Sequence, residues 1–562
     1  MKLLVISFHR SLSSSLSQWL YRAGLNMGFY LMPPAISNPE GHFEDMRLVD
    51  LHDRLLRING VNWQFHDQIT LEPPQQVDLI SRYILQRDLT SGDTWGAKDP
   101  RTCLFLPAWR KALGKHGRYL VLLRHWSGSV QSLYRRHSQV LALGEGSVWG
   151  DAIFWRDPER AARMWLAYHR RILDLLEEDR ELCLVVTQKA LIAGLPVIEK
   201  VNSRFCLSLD IETASPIRHS LSHDSIEVSI RDRLSVSLID ELEAMWQRLL
   251  EFTDHRAESE HPHWVQDRQV GTHAKLLLAA ADRVDSPAIL SSHMPEGTLK
   301  EQLELLAKHT HLPLDSVYWQ ERIEREARFD PECWEHLARS QMARGNSLEA
   351  KNTLGKVLLC GKVMPYLFHL LGICHESELD DEAAEHFYWQ AIARNDANPS
   401  FHVRLSRLWF SQGHFGLAES HLRKALERHP NKSPLVQALA EGLDLQGKTD
   451  QGIALLASIN SRPPLLEYQL ASLHMKQAPE NFSSVHSALR RQRASDPATQ
   501  LVVLQAIAGV KHLAARADLA RRIAVVWQDL DIELIESPAK PDNIHRNRSW
   551  LHKVSSAFSR RR

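Results

Sequence analysis

Hydroxyl groups and an arginine are concentrated near the N-terminus, directly after a short apolar run at residues 3–6. The segment reads Ser7-Phe8-His9-Arg10-Ser11-Leu12-Ser13-Ser14-Ser15, and a helical pattern follows at residues 16–22. The first backbone N–H groups of a helix have no partner within the helix and attract anions, and a guanidinium group adds positive charge. The segment therefore predicts an anion-binding loop around Arg10, although serines before a helix also commonly do no more than cap it.

A second group of donors follows another apolar run, at residues 119–123. Arg124 stands at its end, and Ser132 comes eight residues later, on the helix expected next. An arginine offers a fork of N–H donors and a serine offers a hydroxyl, so together they could hold a phosphate group. Two anion sites on one sheet indicate a ligand that is phosphorylated at two places.

Short β-branched runs alternate with amphipathic helical stretches over the first third of the chain. The runs at residues 3–6, 119–123 and 184–187 are separated by longer helical patterns. This alternation predicts an α/β fold, with a parallel sheet covered by helices. Ligands of such sheets bind where strands end and helices begin, which is where both anion sites are expected.

Six short motifs in the first 250 or so residues occur in a characteristic order. After the loop at residues 7–14 they are Asn38-Pro39-Glu40-Gly41-His42-Phe43-Glu44-Asp45, Gly60-Val61-Asn62-Trp63, Lys98-Asp99-Pro100-Arg101, Leu123-Arg124-His125-Trp126-Ser127 and Trp165-Leu166-Ala167-Tyr168. Together they resemble the sulfotransferases that use 3′-phosphoadenosine 5′-phosphosulfate (PAPS), particularly the bacterial branch, whose loop reads G-x-x-R-S-G-T-S. The resemblance implies a P-loop-like α/β domain.

The resemblance also implies roles for the two anion sites. Arg10, Ser11, Ser13 and Ser14, with Leu12 between them, would hold the 5′-phosphosulfate of PAPS. Arg124 and Ser132 would hold its 3′-phosphate. The chain departs from the family at Ser7 and Leu12, where the family has glycine. Because glycine permits close approach and unusual dihedral angles, Leu12 could weaken or reshape the loop.

Sulfuryl transfer to a hydroxyl needs a base for the hydroxyl proton and donors for the transferring group. In an extended segment Glu40, His42 and Glu44 would share one face. Glu40-Gly41-His42-Phe43 resembles the Glu-x-His-Phe of heparan sulfotransferases, in which the Glu is the base, whereas the bacterial branch has an acid at the position of Glu44. We expect Glu40 or Glu44, with Glu44 preferred, to be the base, and His42 to be its neighbour or substitute.

Lys98 ends a predicted strand at residues 94–98 and precedes Asp99-Pro100, a turn that fixes its direction. By the resemblance it would stabilise charge on the transferring group. Without the resemblance, these acids and this lysine would be interpreted as ordinary surface charges. No metal is implied, and a kinase is disfavoured because the ATP-binding motif G-x-x-x-x-G-K-[ST] is absent and Arg10 stands where its lysine would be.

A period of 34 residues begins at residue 331. Its units start at Pro331, Pro365, Pro399 and Ser433, and a small residue recurs at Ala350, Ala384, Ala418 and Gly452. Four ungapped copies resemble tetratricopeptide (TPR) repeats and predict an all-α solenoid, although each unit alone could be the core of a helical bundle. Such a solenoid usually presents a concave surface to a protein partner. Further helices are expected at residues 465–475 and 499–528.

The composition limits the function classes. The chain has 562 residues, with 68 Lys and Arg against 68 Asp and Glu, so several domains are expected and nucleic acid is not a predicted partner. Six scattered cysteines without a C-x-x-C pair predict neither disulfides nor a zinc site. Without a signal peptide or an apolar run long enough to span a bilayer, we expect a cytoplasmic protein. The basic tail could contact a membrane surface as an amphipathic helix or could be a solvated tail.

We therefore expect a sulfotransferase-like α/β domain at residues 1–260, a helical connector at 261–330, TPR-like repeats at 331–535 and a basic tail at 536–562. The expected function is transfer of a sulfuryl group from PAPS to a hydroxyl, by resemblance that of a carbohydrate, with release of PAP. The repeats would bind a partner or the acceptor. The alternative is a nucleotide-binding scaffold whose catalysis is weakened by Leu12.

Overall fold

A four-stranded parallel sheet forms the centre of the N-terminal region. The computed structural model describes residues 1–33, 41–67, 71, 75–144, 148–217, 225–284, 320, 331–359, 363–430, 432–477 and 482–535. The strands are β1 (Lys2–Ser7), β2 (Trp95–Lys98), β3 (Gly117–Leu123) and β4 (Cys183–Thr187), in the order β2-β1-β3-β4. Ser7 pairs with Leu122, and Leu123 pairs with Thr187. The carboxyl ends of the strands therefore meet at one edge, and the predicted α/β architecture is confirmed.

Helices cover both faces of this sheet, because alternate residues of β1 point to opposite sides. Leu3 and Val5 pack into one apolar cluster, and Leu4 and Ile6 into the other. The helices are α1 (Ser13–Arg22), α2 (Met46–Ile58), α3 (Gln76–Ser91), α4 (Leu106–Leu113), α5 (Trp126–Ala142), α6 (Val148–Asp151), α7 (Ile153–Arg156), α8 (Arg160–Glu178), α9 (Gln188–Ile192), α10 (Val197–Phe205), α11 (Val236–Glu251) and α12 (Gly271–Asp282).

Part of the expected connector packs with the α/β region. Strand β6 (His263–Val265) pairs in parallel with β5 (Ser225–Glu227), and Leu277 and Ala281 of α12 join the larger apolar cluster of the sheet. The helix was expected of this connector, whereas the short strand was not. Most of the remaining connector, and all of the basic tail, lie outside the described residues.

Four helix pairs follow at the predicted period. They are α13 (Pro331–Ala343) with α14 (Ser347–Leu359), α15 (Pro365–Ser377) with α16 (Asp381–Arg394), α17 (Pro399–Ser411) with α18 (Phe415–Arg428), and α19 (Ser433–Leu445) with α20 (Thr449–Ala457). Small residues are required where the helices cross, since a Cβ at Gly372 would lie 2.4 Å from Cε1 of Tyr388. The predicted repeat is therefore confirmed as a solenoid of helix pairs.

The turn inside each pair requires a positive φ. Gly345, Gly413 and Gly447 have φ of 80°, 79° and 74°, and Leu379 occupies the same position with φ 60°. Glycine adopts this conformation without strain, whereas for leucine it costs about 1 kcal/mol. The second pair keeps the turn because its packing with the neighbouring pairs outweighs that cost.

The C-terminal helices return to the α/β region. They are α21 (Pro464–Gln477), α22 (Phe482–Ala494), α23 (Pro497–Ala508) and α24 (Leu513–Asp529), so the helix expected at residues 499–528 is two helices. The indole of Trp155 donates to Asp518 at 2.8 Å, and that of Trp527 donates to the carbonyl of Ala142 at 3.0 Å. Val503 and Ile523 are buried in the larger cluster of the sheet. No described helix is long and apolar enough to cross a membrane.

Candidate active site

The loop after β1 has the backbone shape of an anion site. Arg10 and Leu12 have φ of 63° and 74°, and no side chain caps α1, which begins at Ser13. The hydroxyl of Ser11, buried at 1% exposure, has no hydrogen-bond partner. The backbone N–H groups at the start of α1 and this buried hydroxyl are therefore available to an anion. Leu12 keeps a left-handed conformation that glycine would adopt without strain.

The structure brings the two predicted anion sites together. Arg124 follows β3 and donates from Nη1 to the carbonyl oxygen of Arg10, while Nε of Arg10 donates to Oγ of Ser132 on α5 at 3.0 Å. Sequence reasoning placed these sites at opposite ends of a ligand. Here they are joined directly, because the Arg10 side chain extends from the first site to the second.

Two further arginines of α5 extend this group, and sequence reasoning missed them. We call Arg10, Arg124, Arg135 and Arg136 the arginine cluster. Burial, followed by the charges of Arg136, Arg124 and Arg135, lowers the pKa of Arg10 to about 9. Within the described ranges no carboxylate forms an ion pair with Arg10, Arg135 or Arg136. Cations crowded in this way repel one another, so an anion would relieve the repulsion.

The Arg124 side chain lies across the start of α5. A Cβ at Gly128 would come within 2.8 Å of its Nε, so only glycine leaves room for the guanidinium group there. Beside it a small cavity of about 20 Å³ opens between the ends of β3 and β4. It is lined by Leu123, Arg124, His125, Ser127, Gly128, Gln188, Lys189, Ile226, Glu260 and Pro262.

The predicted catalytic residues meet at Lys98, the last residue of β2. Its ammonium group donates to Oε1 of Glu44 and lies 3.4 Å both from the carbonyl oxygen of His42 and from Oγ of Ser14. Lys98, Glu44 and His42 are all buried. Glu40 lies outside the described residues. The segment is not extended as expected, because Phe43 has φ 52°.

His42 is an unusual member of this group, because the residue is only 9% exposed and no described side chain forms a hydrogen bond with its ring nitrogens. Burial, followed by the charges of Lys98, Arg136 and Arg10, lowers the pKa of His42 well below its ordinary value. Its ring is therefore neutral at physiological pH and holds a lone pair that can accept a hydrogen bond, although it is a weak base.

Sequence reasoning also gave no role to Arg101, although this residue belongs to the motif Lys98-Asp99-Pro100-Arg101. Its Nη2 lies 3.8 Å from Oε2 of Glu44, and its Nε donates to Asp99 at 2.8 Å. Burial alone would raise the pKa of Asp99, but the nearby Arg101 and His52 lower it. The charged Asp99 thus holds Arg101 beside Glu44, and the motif spacing was the signal for it.

Aromatic rings border the loop after β1. The rings of His9 and Trp63 have centroids 4.9 Å apart. The hydroxyl of Tyr168 donates to the carbonyl of Trp63 at 2.7 Å and lies 3.3 Å from Nε2 of His9. The motifs containing Trp63 and Tyr168 are thereby brought next to the loop.

No protein-family model and no curated protein matches the chain. Solved structures are similar to it at low identity. MamA is 16% identical, with 31% of this chain and 94% of that chain covered and a TM-score of 0.24. Pseudomonas aeruginosa PilF is 19% identical, covering 36% and 91%, with a TM-score of 0.26. Yeast Tom70 is 12% identical, covering 86% and 97%, with a TM-score of 0.26. At these scores the similarities carry no argument about function, and the description of the repeats depends on their own helices.

Proposed function

We propose that the chain transfers a sulfuryl group from PAPS to a hydroxyl of a carbohydrate acceptor. The observation that carries the proposal is the arginine cluster next to the uncapped start of α1. Three of its members, Arg10, Arg135 and Arg136, form no ion pair with a carboxylate among the described residues. Such a surplus of positive charge at the carboxyl edge of a parallel sheet suits a ligand with several anionic groups.

The donor would be held at two places. The N–H groups of residues 13–15 and the free Ser11 hydroxyl suit the phosphosulfate, while Arg124 and Ser132 suit the 3′-phosphate. Since Arg10 donates to Ser132, binding at both places requires Arg10 to release Ser132 and turn towards the phosphosulfate.

PAPS supplies the sulfuryl group when it is bound. The chain would then contribute a base, with Glu44 taking the hydroxyl proton of the acceptor and His42 or Glu40 as substitutes. Lys98 would stabilise negative charge on the transferring group, because its ammonium lies within reach of both Glu44 and Ser14. Arg101 would hold Glu44 in position.

A sugar is the proposed acceptor by the family resemblance, and the partly buried rings of Trp63 and His9 lie beside the loop. Trp63, His9 and Tyr168 pack against one another beside Arg10. Apolar ring faces next to a few fixed polar groups are typical of small-ligand sites. The repeats would bind a protein partner on the parts of their surface that the α/β region does not cover.

One observation favours a second function, a nucleotide-binding scaffold without efficient turnover. The Glu44 carboxylate is bonded by Lys98 and faced by Arg101, so its two oxygens are already directed at cations of the protein. The strained Leu12 in the loop favours the same function.

A transfer assay separates the two functions. The full chain is incubated with radiolabelled PAPS and fractionated cell-surface glycans, with Glu44→Gln as the matched variant. If the chain is an enzyme, we expect the wild-type protein to label a glycan fraction and the variant to transfer about 100-fold less label. PAP binding without any label transfer would favour the scaffold, and neither binding nor transfer would contradict both.

A further inference from the structure

The short segment that contains Glu44 lies between two groups of residues that are bonded to the repeats. We call residues 41–46 the Glu44 segment. It pairs with residues 30–32, where the N–H of Met32 donates to the carbonyl of Glu44 at 2.7 Å and the N–H of Met46 donates to that of Tyr30 at 2.9 Å. Glu44 therefore lies between an anchor at Tyr30 and an anchor on α2.

The first anchor is the Tyr30 hydroxyl. It donates to Oε1 of Glu441 on α19 at 2.8 Å, and the Tyr30 ring packs against Phe410 of α17 with centroids 6.0 Å apart. Glu441 is held in turn by Arg407 at 3.2 Å. Tyr30 is 9% exposed, so this contact is inside the molecule.

The second anchor is formed by two arginines of α2. Arg47 forms an ion pair with Asp381 and donates to Oγ of Ser411 at 3.1 Å. Arg54 donates to the carbonyl of Gly345 at 3.2 Å and pairs with Glu378. These partners belong to three successive helix pairs, so α2 crosses the solenoid at the side of its internal turns.

These contacts give the repeats a role besides recruitment. We propose that the solenoid positions Glu44 against Lys98, with Tyr30, Arg47 and Arg54 as positioning residues, so that it sets the rate of transfer without contributing to donor binding. The inference rests on the proposed function for its effect on rate. It concerns a different part of the site from the arginine cluster, and the donor loop has no contact of this kind with the repeats among the described residues.

Two variants and a control test it in the full chain. Arg47→Ala removes the ion pair beside Glu44, and Tyr30→Phe removes only one hydroxyl and should fold. Arg428→Ala is the control, because Arg428 is about half exposed and pairs with Asp396 inside the repeats, away from α2. Small displacements of catalytic groups cost about 100-fold in rate. We expect kcat to fall by about that factor in Arg47→Ala and by less in Tyr30→Phe, with PAP affinity unchanged in both.

Hydrogen exchange of the backbone provides a readout that does not depend on activity. Exchange at Met32 and Met46 should be faster in Arg47→Ala and Tyr30→Phe than in the wild type, with β1 and β3 unchanged. Wild-type protein that neither binds PAP nor transfers label would overturn the proposed function. The hydrogen exchange of the variants would still show whether the solenoid holds Glu44 in position. Unchanged exchange in both variants, or faster exchange with unchanged kcat in an active enzyme, would overturn the inference.

Discussion

Two sets of cations lie at the same edge of the sheet and differ in their surroundings. Lys98 and Arg101, after β2, are matched by Glu44, Asp99 and Asp53, and Arg101 donates to Asp53 at 2.5 Å. The arginine cluster, whose members follow β1 and β3 or lie on α5, includes three arginines with no carboxylate partner in the described ranges. The matched set can hold a geometry by itself, whereas the arginine cluster would be stabilised by a ligand that supplies negative charge.

This difference assigns separate tasks to the two sets. Removing a cluster arginine should weaken donor binding, because the ligand loses its counter-charge. Removing a residue of the matched set should slow transfer and leave donor binding intact, because those charges are already satisfied within the protein.

Arg10→Ala should abolish turnover, with a loss of about 1000-fold or more in kcat/KM, because Arg10 belongs to the loop that is predicted to hold the phosphosulfate. Steady-state transfer from PAPS measures it. The control is Arg118→Ala, since Arg118 is an arginine of β3 that bonds the backbone at the other end of the strand. Wild-type activity in Arg10→Ala would show that the loop assignment is wrong.

Glu44→Gln should lower kcat by about 100-fold or more while PAP affinity stays within a small factor, because loss of a general base affects the chemical step. Glu40→Gln is the matched comparison, since sequence reasoning left both acids open. A larger loss of kcat in Glu40→Gln than in Glu44→Gln would show that Glu40 is the base.

Ser132→Ala should weaken PAP binding by about 1–2 kcal/mol, the value of one hydrogen bond to a charged group. Calorimetric titration with PAP measures the change. Ser138→Ala is the control on the same helix, because the Ser138 hydroxyl bonds only the carbonyl of Arg135. If Ser132→Ala and the wild type bind PAP with equal affinity, Ser132 does not contact the ligand.

Asp50 of α2, which faces Arg404 and Glu376 of the repeats, should make the stability of the docked solenoid depend on pH. Burial raises the pKa of Asp50 to about 6, with Glu376 and Asp53 adding to the effect and Arg404 opposing it. Because the folded protein holds this proton more tightly than the unfolded chain, the contribution of Asp50 to stability is lost as pH rises from about 4 to about 6. Asp50→Asn should therefore be about 3 kcal/mol more stable than wild type near pH 8 and equal to it near pH 4. Denaturant unfolding at both pH values measures this, and a difference that does not vary with pH would contradict it.

The sequence predicted the strands and the repeat period, because each depends on a local pattern, but it assigned Arg10 and Ser132 to separate anion sites, whereas the two side chains are hydrogen-bonded. It did not predict Arg135 and Arg136, since nothing in a helix sequence shows which face meets a loop more than a hundred residues earlier. The docking of α2 on the repeats was missed for the same reason. Its ion pairs join residues more than 300 positions apart, as Arg47 and Asp381 do. The turn at Phe43 was missed because a positive φ at phenylalanine has no signature in the sequence.

The most direct test of the arginine cluster is calorimetric titration of PAP into the wild-type chain and into Arg124→Ala. The account predicts saturable binding of one PAP per wild-type chain, weakened about 10- to 100-fold in the variant because hydrogen bonds to a charged phosphate are lost. A wild-type chain that binds no PAP, or a variant that binds it equally well, would contradict the claim that these arginines hold a doubly phosphorylated nucleotide.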